Sequence, residues 1–191
     1  MHIGLFFGSF NPIHIGHMAL ANYMAEFTNM DQVWFVVSPH NPLKEKSSLL
    51  NQNQRLYMVN VAIEDFIKFK SCDIEFNLPQ PSYTINTLAH LKEKYPKYDF
   101  SLIIGQDNLE TFHKWKNYEA ILEKHKLFVY PRPNAKASDL DMHPSVVLTQ
   151  APILEISSTF IREAIKNKKD IRYFLPEKAW KYIDEMNLYR K

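Results

Sequence analysis

Four short runs of the chain are apolar almost without interruption: HIGLFF (2–7), QVWFVVS (32–38), DFSLIIG (99–105) and KLFVYP (126–131). A strand with one wet face alternates apolar and polar residues, whereas a strand covered on both faces does not, so these runs predict a buried parallel sheet. Between them the period lengthens. Met18, Ala21, Met24 and Phe27 recur at threes; Leu56, Val59, Ile63 and Phe66, and then Ile85, Leu88, Leu91 and Tyr95, recur at threes and fours. These are helix stripes. Strand and helix alternate, which predicts an α/β fold, a Rossmann-like open parallel sheet with helices on both faces. Near the C-terminus STFIREAIKNKKDIRYFL (158–175) and PEKAWKYIDEMNL (176–188) predict two helices with no strand between them, and Pro176 suits the first turn of the second. This pair reads as a small helical cap, about 157–189, on one domain spanning 1–191. Residues 39–54 and 131–145 carry turn-forming residues and read as loops.

Composition narrows the function. The 191 residues are 46% apolar and 23% charged, ordinary for a globular chain, and the net charge of +2 gives no bulk field that would coat a nucleic acid. The single cysteine, Cys72, excludes an internal disulfide framework and a multi-cysteine metal site; its flanks read as a strand start and the thiol as packed. The N-terminus lacks the basic region and cleavage site of a signal peptide, and no apolar run approaches the ~20 residues a bilayer span needs. A cytoplasmic protein without membrane or nucleic-acid partners is expected.

The chain has four glycines, and two of them, Gly8 and Gly105, stand just after predicted strands. In an open α/β sheet the ligand crevice lies outside the carboxyl ends of the strands, and glycine there lets backbone approach a ligand. Gly8 opens the decapeptide GSFNPIHIGH (8–17), with two histidines three apart. Pro12 and Gly16 argue against one helix carrying both imidazoles to a metal, and no carboxylate stands near them in sequence to complete such a site. Phosphate binding fits better. After the first strand the chain turns through Gly8, Ser9 and Phe10 and reaches a helix near Gly16 and His17, whose free N–H groups and partial positive charge attract anions. Imidazole N–H groups of His14 and His17 add donors beside it.

GSFNPIHIGH resembles the His-x-Gly-His signature of the nucleotidyltransferase superfamily, and ISSTFIR (156–162) resembles its Ile-Ser-Ser-Thr-x-x-Arg signature. The segments PSYTINTL (81–88), IGQDNLETFHKW (104–115), YPRP (130–133) and LPEKAWKYIDEMNLY (175–189) extend the likeness to bacterial nicotinate-nucleotide adenylyltransferases, from residue 3 to about 189. The resemblance implies transfer of AMP from ATP to nicotinate mononucleotide, giving deamido-NAD and pyrophosphate, with Mg²⁺ carried by the ATP phosphates and no metal ligand from the protein. It implies that His14 and His17 contact the ATP phosphates, that Gly8, Ser9 and Phe10 line the approach through their backbone, and that Ser157, Ser158 and Thr159 open a helix holding the leaving phosphates while Arg162 adds fixed charge. Gly105 and Asp107 stand at the end of a strand; the Asp107 carboxylate accepts from ribose hydroxyls or caps the helix over NLETF. Trp115 is a platform for the pyridine ring or a core residue, Thr84 bonds the nicotinate carboxyl or a neighbouring backbone group, and Lys44 reaches phosphate or is a solvated loop lysine. Four positions depart from the family pattern: Asn11 for a usual aspartate, Leu43 for the histidine before the lysine, Lys116 for the tyrosine after the tryptophan, and Phe160 for a common aspartate. The rivals are another nucleotidyltransferase, such as a phosphopantetheine adenylyltransferase, and a non-catalytic nucleotide sensor.

Overall fold

The first apolar run becomes the central strand. In the computed structural model, which describes residues 1–39 and 49–190, β1 (His2–Gly8) is flanked on one side by β2 (Gln32–Val37) and β3 (Phe69–Cys72). On the other side lie β4 (Asp99–Gly105), β5 (Leu127–Tyr130) and β6 (Val146–Leu148). All five pairings are parallel, with Gly8 opposite Val37 and Gly105 opposite Tyr130. The four predicted strands are present; β3 and β6 are short edge strands, and Cys72 ends β3 rather than starting a strand.

The unbroken apolar runs have a direct cause: each strand feeds two cores. Phe6, Val33, Phe35, Val37, Ile103 and Phe128 pack on one face, and Ile3, Leu5, Trp34, Val36, Leu102 and Val129 on the other. Helices α1 (Ile15–Phe27) and α2 (Gln52–Ile63) cover the first face through Met24, Met58 and Val59, while α3 (Thr84–Lys94), α4 (Gln106–Glu110) and α5 (Tyr118–Lys124) cover the second through Leu88, Leu91, Leu109 and Ile121. Burying one such side chain contributes roughly 1.5–3 kcal/mol.

The C-terminal pair belongs to the first face. Helices α6 (Ser158–Lys166) and α7 (Glu177–Glu185) place Ile161, Ile165, Ala179 and Ile183 in the same core as α1 and α2, and the Tyr57 and Tyr182 rings meet at 4.5 Å between α2 and α7. The helix expected to run to residue 175 stops at Lys166. The stretch KNKKD offers no apolar residue to pack; Lys168 turns left-handed (φ 56°), and the Lys169 N–H bonds back to the Ala164 carbonyl. Pro176 precedes the first turn of α7 as its N-cap.

Strand order β3-β2-β1-β4-β5-β6 reverses direction between β1 and β4. In a doubly wound sheet the ligand crevice opens at that reversal, outside the carboxyl ends of the strands. Gly8 and Gly105 end the two strands concerned.

Candidate nucleotide site

At the reversal a cleft of about 490 Å³ opens. Ser9, His14, His17 and Arg162 line it, together with the turn Ser157, Ser158 and Thr159. Two segments at opposite ends of the chain therefore share one cavity.

Local geometry brings them there. Helix α1 starts at Ile15, with His14 as an extended N-cap (φ −145°, ψ 170°), so the early N–H groups of the helix lie beside both imidazoles. The rings of His14 and His17 stack at 3.7 Å and 28°, and the His14 N–H donates to His17 Nδ1 at 3.3 Å. A Cβ on Gly16 would sit 3.0 Å from His14 Nδ1 and 3.1 Å from its Cε1, so glycine leaves room for the His14 ring beside α1, while Ile156 Cβ of the second segment would stand at an ordinary 3.6 Å. In that segment Ser157 caps α6, its Oγ accepting from the Phe160 N–H at 3.1 Å.

Two bonds sew the segments together. Ser158 Oγ donates to the Pro12 carbonyl at 2.9 Å, and Arg162 Nη1 donates to the Asn11 carbonyl at 2.9 Å. Arg162 Nη2 also reaches Thr159 Oγ1 at 3.2 Å. The hydroxyls differ in consequence. A phosphate oxygen only accepts, and the Ser158 proton is directed at Pro12, whereas Ser157 and Thr159 oxygens act as acceptors here and keep a proton to donate.

His14 is 4% exposed, and its Nδ1 has no partner among the described residues. Burial, reinforced by the charge of Arg132, lowers its pKa from 6.5 to about 4, so it is a neutral imidazole at physiological pH. His17 stands edge-on to Phe10 at 5.1 Å. Phe10 is left-handed (φ 45°), a conformation costing on the order of 1–3 kcal/mol in a non-glycine residue, and is fixed by a ring that is 1% exposed. Gly8 and Phe10 thus lie behind the cleft wall: the Gly8 carbonyl accepts from the Ser38 N–H at 2.9 Å, and a Cβ on Gly8 would meet the Phe10 ring at 2.9 Å.

Gly105 and Asp107 are not among the residues lining the cleft, and Gly105, not Asp107, is the N-cap of α4, which removes the capping role considered for Asp107. Asp107 instead occupies the first turn, with Arg132 Nε 3.8 Å from its carboxylate and Arg132 Nη2 donating to the Tyr130 hydroxyl at 3.2 Å. A Cβ on Gly105 would collide with the Asp107 carboxylate. Arg132 lines the cleft, and the sequence reading gave it no role.

Of the residues assigned to the mononucleotide, Thr84 and Trp115 are not among those lining that cleft. Thr84 is the first residue of α3, half-buried Trp115 packs at 4.9 Å from Phe112, and Lys116 Nζ lies 4.4 Å over the Tyr83 ring, which joins these two segments. Lys44 and Leu43 lie outside the described residues. The departure at Phe160 is filled by an edge contact with Phe174 at 5.3 Å.

Two residues bracing the site went unnoticed. Arg55 is fully buried and donates to the carbonyls of Ser9, Ser38, Pro39 and Leu50; burial lowers its pKa to about 10, which leaves it charged. It stands three residues before Met58 and four before Val59, so the helical period itself puts it on the inward face. Tyr189 donates its hydroxyl to Asn11 Oδ1 at 2.8 Å, and the Leu50 N–H reaches the same oxygen at 3.3 Å. Nothing local in the sequence marks that contact. Among the described residues no three His, Cys, Asp or Glu side chains gather to hold a metal, and no helix is long and apolar enough to cross a membrane.

Residues 5–164 match the cytidylyltransferase-like family. The chain is 61% identical to a protein of Flavobacterium psychrophilum named probable nicotinate-nucleotide adenylyltransferase, with 100% of both chains covered. It is 52% identical to a protein of the same name from Bacteroides fragilis, covering 94% of this chain and 90% of that one. The solved structure of Plasmodium falciparum nicotinic acid mononucleotide adenylyltransferase complexed with NaAD matches with a TM-score of 0.81, covering 98% of this chain and 97% of that chain. At 22% identity this last likeness carries the fold.

Proposed function

The chain belongs to the nicotinate-nucleotide adenylyltransferase family, and from that premise we infer that it transfers the AMP unit of ATP to nicotinate mononucleotide, giving deamido-NAD and pyrophosphate. One observation carries the reading beyond kinship: the two ends of the chain meet in a cleft lined with imidazoles, hydroxyls and guanidinium groups, with no carboxylate lining it among the described residues. Such a donor set suits a triphosphate. It also suits a divalent cation that arrives on the phosphates of ATP, as part of the substrate, rather than on protein ligands.

The transfer is a single in-line displacement. A 5′-phosphate oxygen of the mononucleotide bonds to the α-phosphorus of ATP, the bond from that phosphorus to the β-bridging oxygen breaks, and pyrophosphate leaves with the electron pair. No covalent enzyme intermediate forms, so the protein contributes alignment and charge stabilisation. His17 and neutral His14 donate N–H bonds to the phosphates at the start of α1, with His17 nearest the reacting phosphorus. The amides and free hydroxyl protons of Ser157 and Thr159 hold the departing phosphates, and Arg162 supplies charge already aligned by its bond to Asn11. Asp107, held toward Arg132, accepts from ribose hydroxyls. Trp115 stacks on the pyridine ring, Thr84 meets its carboxyl group, and Lys44 reaches the phosphate. A reducing cytoplasm, where we place the reaction, suits the buried free thiol of Cys72.

The test is pyrophosphate release with ATP and, in parallel, nicotinate mononucleotide, nicotinamide mononucleotide and phosphopantetheine. Turnover is expected with nicotinate mononucleotide above the others. Turnover only with phosphopantetheine, or ATP binding without turnover on any acceptor, refutes the assignment.

A further inference from the structure

Arg55 does not itself line the cleft, yet it is tied to three stretches of chain around it, one of them the cleft-lining Ser9. Its side chain is 0% exposed. Nε donates to the Leu50 carbonyl at 3.0 Å, Nη1 to the carbonyls of Ser9 at 2.6 Å and Ser38 at 2.7 Å, and Nη2 to that of Pro39 at 2.7 Å. Taking a guanidinium out of water is costly unless its donors are met, and here backbone carbonyls accept from four of its five N–H groups. A helix that needed only packing at this position would be served by leucine or methionine. A planar fork with donors fixed in direction does something a hydrocarbon does not: it sets the orientation of each peptide plane it holds.

We propose that Arg55 is a positioning residue for the transfer, setting from inside the core the spacing between the turn at Ser9, the segment Ser38–Pro39 that leaves β2, and Leu50 just before α2. The Ser9 link acts on the phosphate side. Peptide planarity turns the Phe10 N–H opposite to the Ser9 carbonyl, so pinning that carbonyl inward aims the following amide away from the core. Two residues on, the Asn11 carbonyl accepts from Arg162, and Asn11 Oδ1 accepts from the Leu50 N–H, whose own residue's carbonyl is held by Arg55. Arg55, Leu50, Asn11 and Arg162 thus form a continuous hydrogen-bonded chain from the buried face of α2 to the helix that opens the second motif. The other two links fix the strand end that leaves β2. Movement of Arg55 is therefore transmitted to both sides of the cleft without contact with substrate.

The inference rests on the adenylyl transfer proposed above. Arg55→Lys keeps the charge but replaces the fork by one ammonium group; Arg55→Ala leaves a space that free guanidinium ion can enter. Parent and variants are compared at low temperature, with the folded fraction of each read by circular dichroism and urea titration, and kcat and both KM values from pyrophosphate release. For Arg55→Lys, kcat per folded molecule is expected to fall roughly 10–100-fold, as for a displacement on the order of 1 Å. KM for ATP should move by less than about threefold, because alignment rather than binding is lost. Millimolar guanidinium, and not ammonium, should restore turnover to Arg55→Ala. A parent without turnover removes the transfer reading and this inference with it. An active parent beside an Arg55→Lys variant of equal kcat and lowered urea midpoint overturns the inference alone, since Arg55 is then only a brace of the core. So does an Arg55→Ala variant that stays unfolded with guanidinium present.

Discussion

Acid should destabilise this protein through the two histidines whose pKa burial lowers, His14, to about 4, and His125. His14 is 4% exposed and is held neutral to about pH 4 by its burial and by Arg132, whereas in the unfolded chain it regains a pKa near 6.5. Between those two values the unfolded chain binds a proton that the folded one refuses. Stability therefore falls as pH drops from 6.5, with a slope approaching about 1.4 kcal/mol per pH unit, and the loss reaches about 3 kcal/mol near pH 4. Above pH 6.5 the same group contributes no slope. Other groups also titrate in acid, so the difference from a variant is what isolates the effect. Urea unfolding of parent and His14→Gln, followed from pH 7.5 to 4.5, should give curves that run parallel above pH 6.5 and converge below it, as the variant lacks this proton uptake. Curves parallel across the whole range refute the reasoning, because His14 would then titrate alike in both states.

Replacing His17 with alanine should lower kcat at least ~100-fold, the usual loss for one transition-state donor, with the fold retained by circular dichroism; near-normal kcat contradicts its role. Ser158→Ala removes the bond to the Pro12 carbonyl, so the urea-derived stability should drop by about 1 kcal/mol; an unchanged midpoint means the bond carries no net stability. Trp115→Ala should raise KM for the mononucleotide by the equivalent of ~1–3 kcal/mol of lost stacking while leaving ATP affinity alone. An effect confined to ATP would misplace that side chain.

The central strands were legible because strands that feed two cores must be apolar throughout, as Ile3, Leu5 and Phe6 of β1 and Trp34, Phe35 and Val36 of β2 are. The edge strands were less so: β3, half-covered, showed only as a strand start at Cys72, where it in fact ends, and β6 has three residues that neither length nor hydrophobicity sets apart from a loop. Helices α4 and α5 are too short to display a period. In the site, His14, His17 and the Ser157–Thr159 turn could be found because each lies at a helix start whose chemistry is local. The capping reading of Asp107 could be judged only once the position of the α4 N-cap was known. Arg55 and Tyr189 act through partners far away in sequence: the Tyr189 hydroxyl meets an oxygen 178 residues earlier, a relation that only folding creates.

A crystal structure with a non-hydrolysable ATP analogue tests most directly whether the two distant segments hold one triphosphate. The analogue's phosphate oxygens should lie within about 3.2 Å of the His14 or His17 imidazole and, in the same molecule, of the amides or hydroxyls of Ser157 to Thr159. A triphosphate bound to one segment while the other faces only solvent would contradict a shared site.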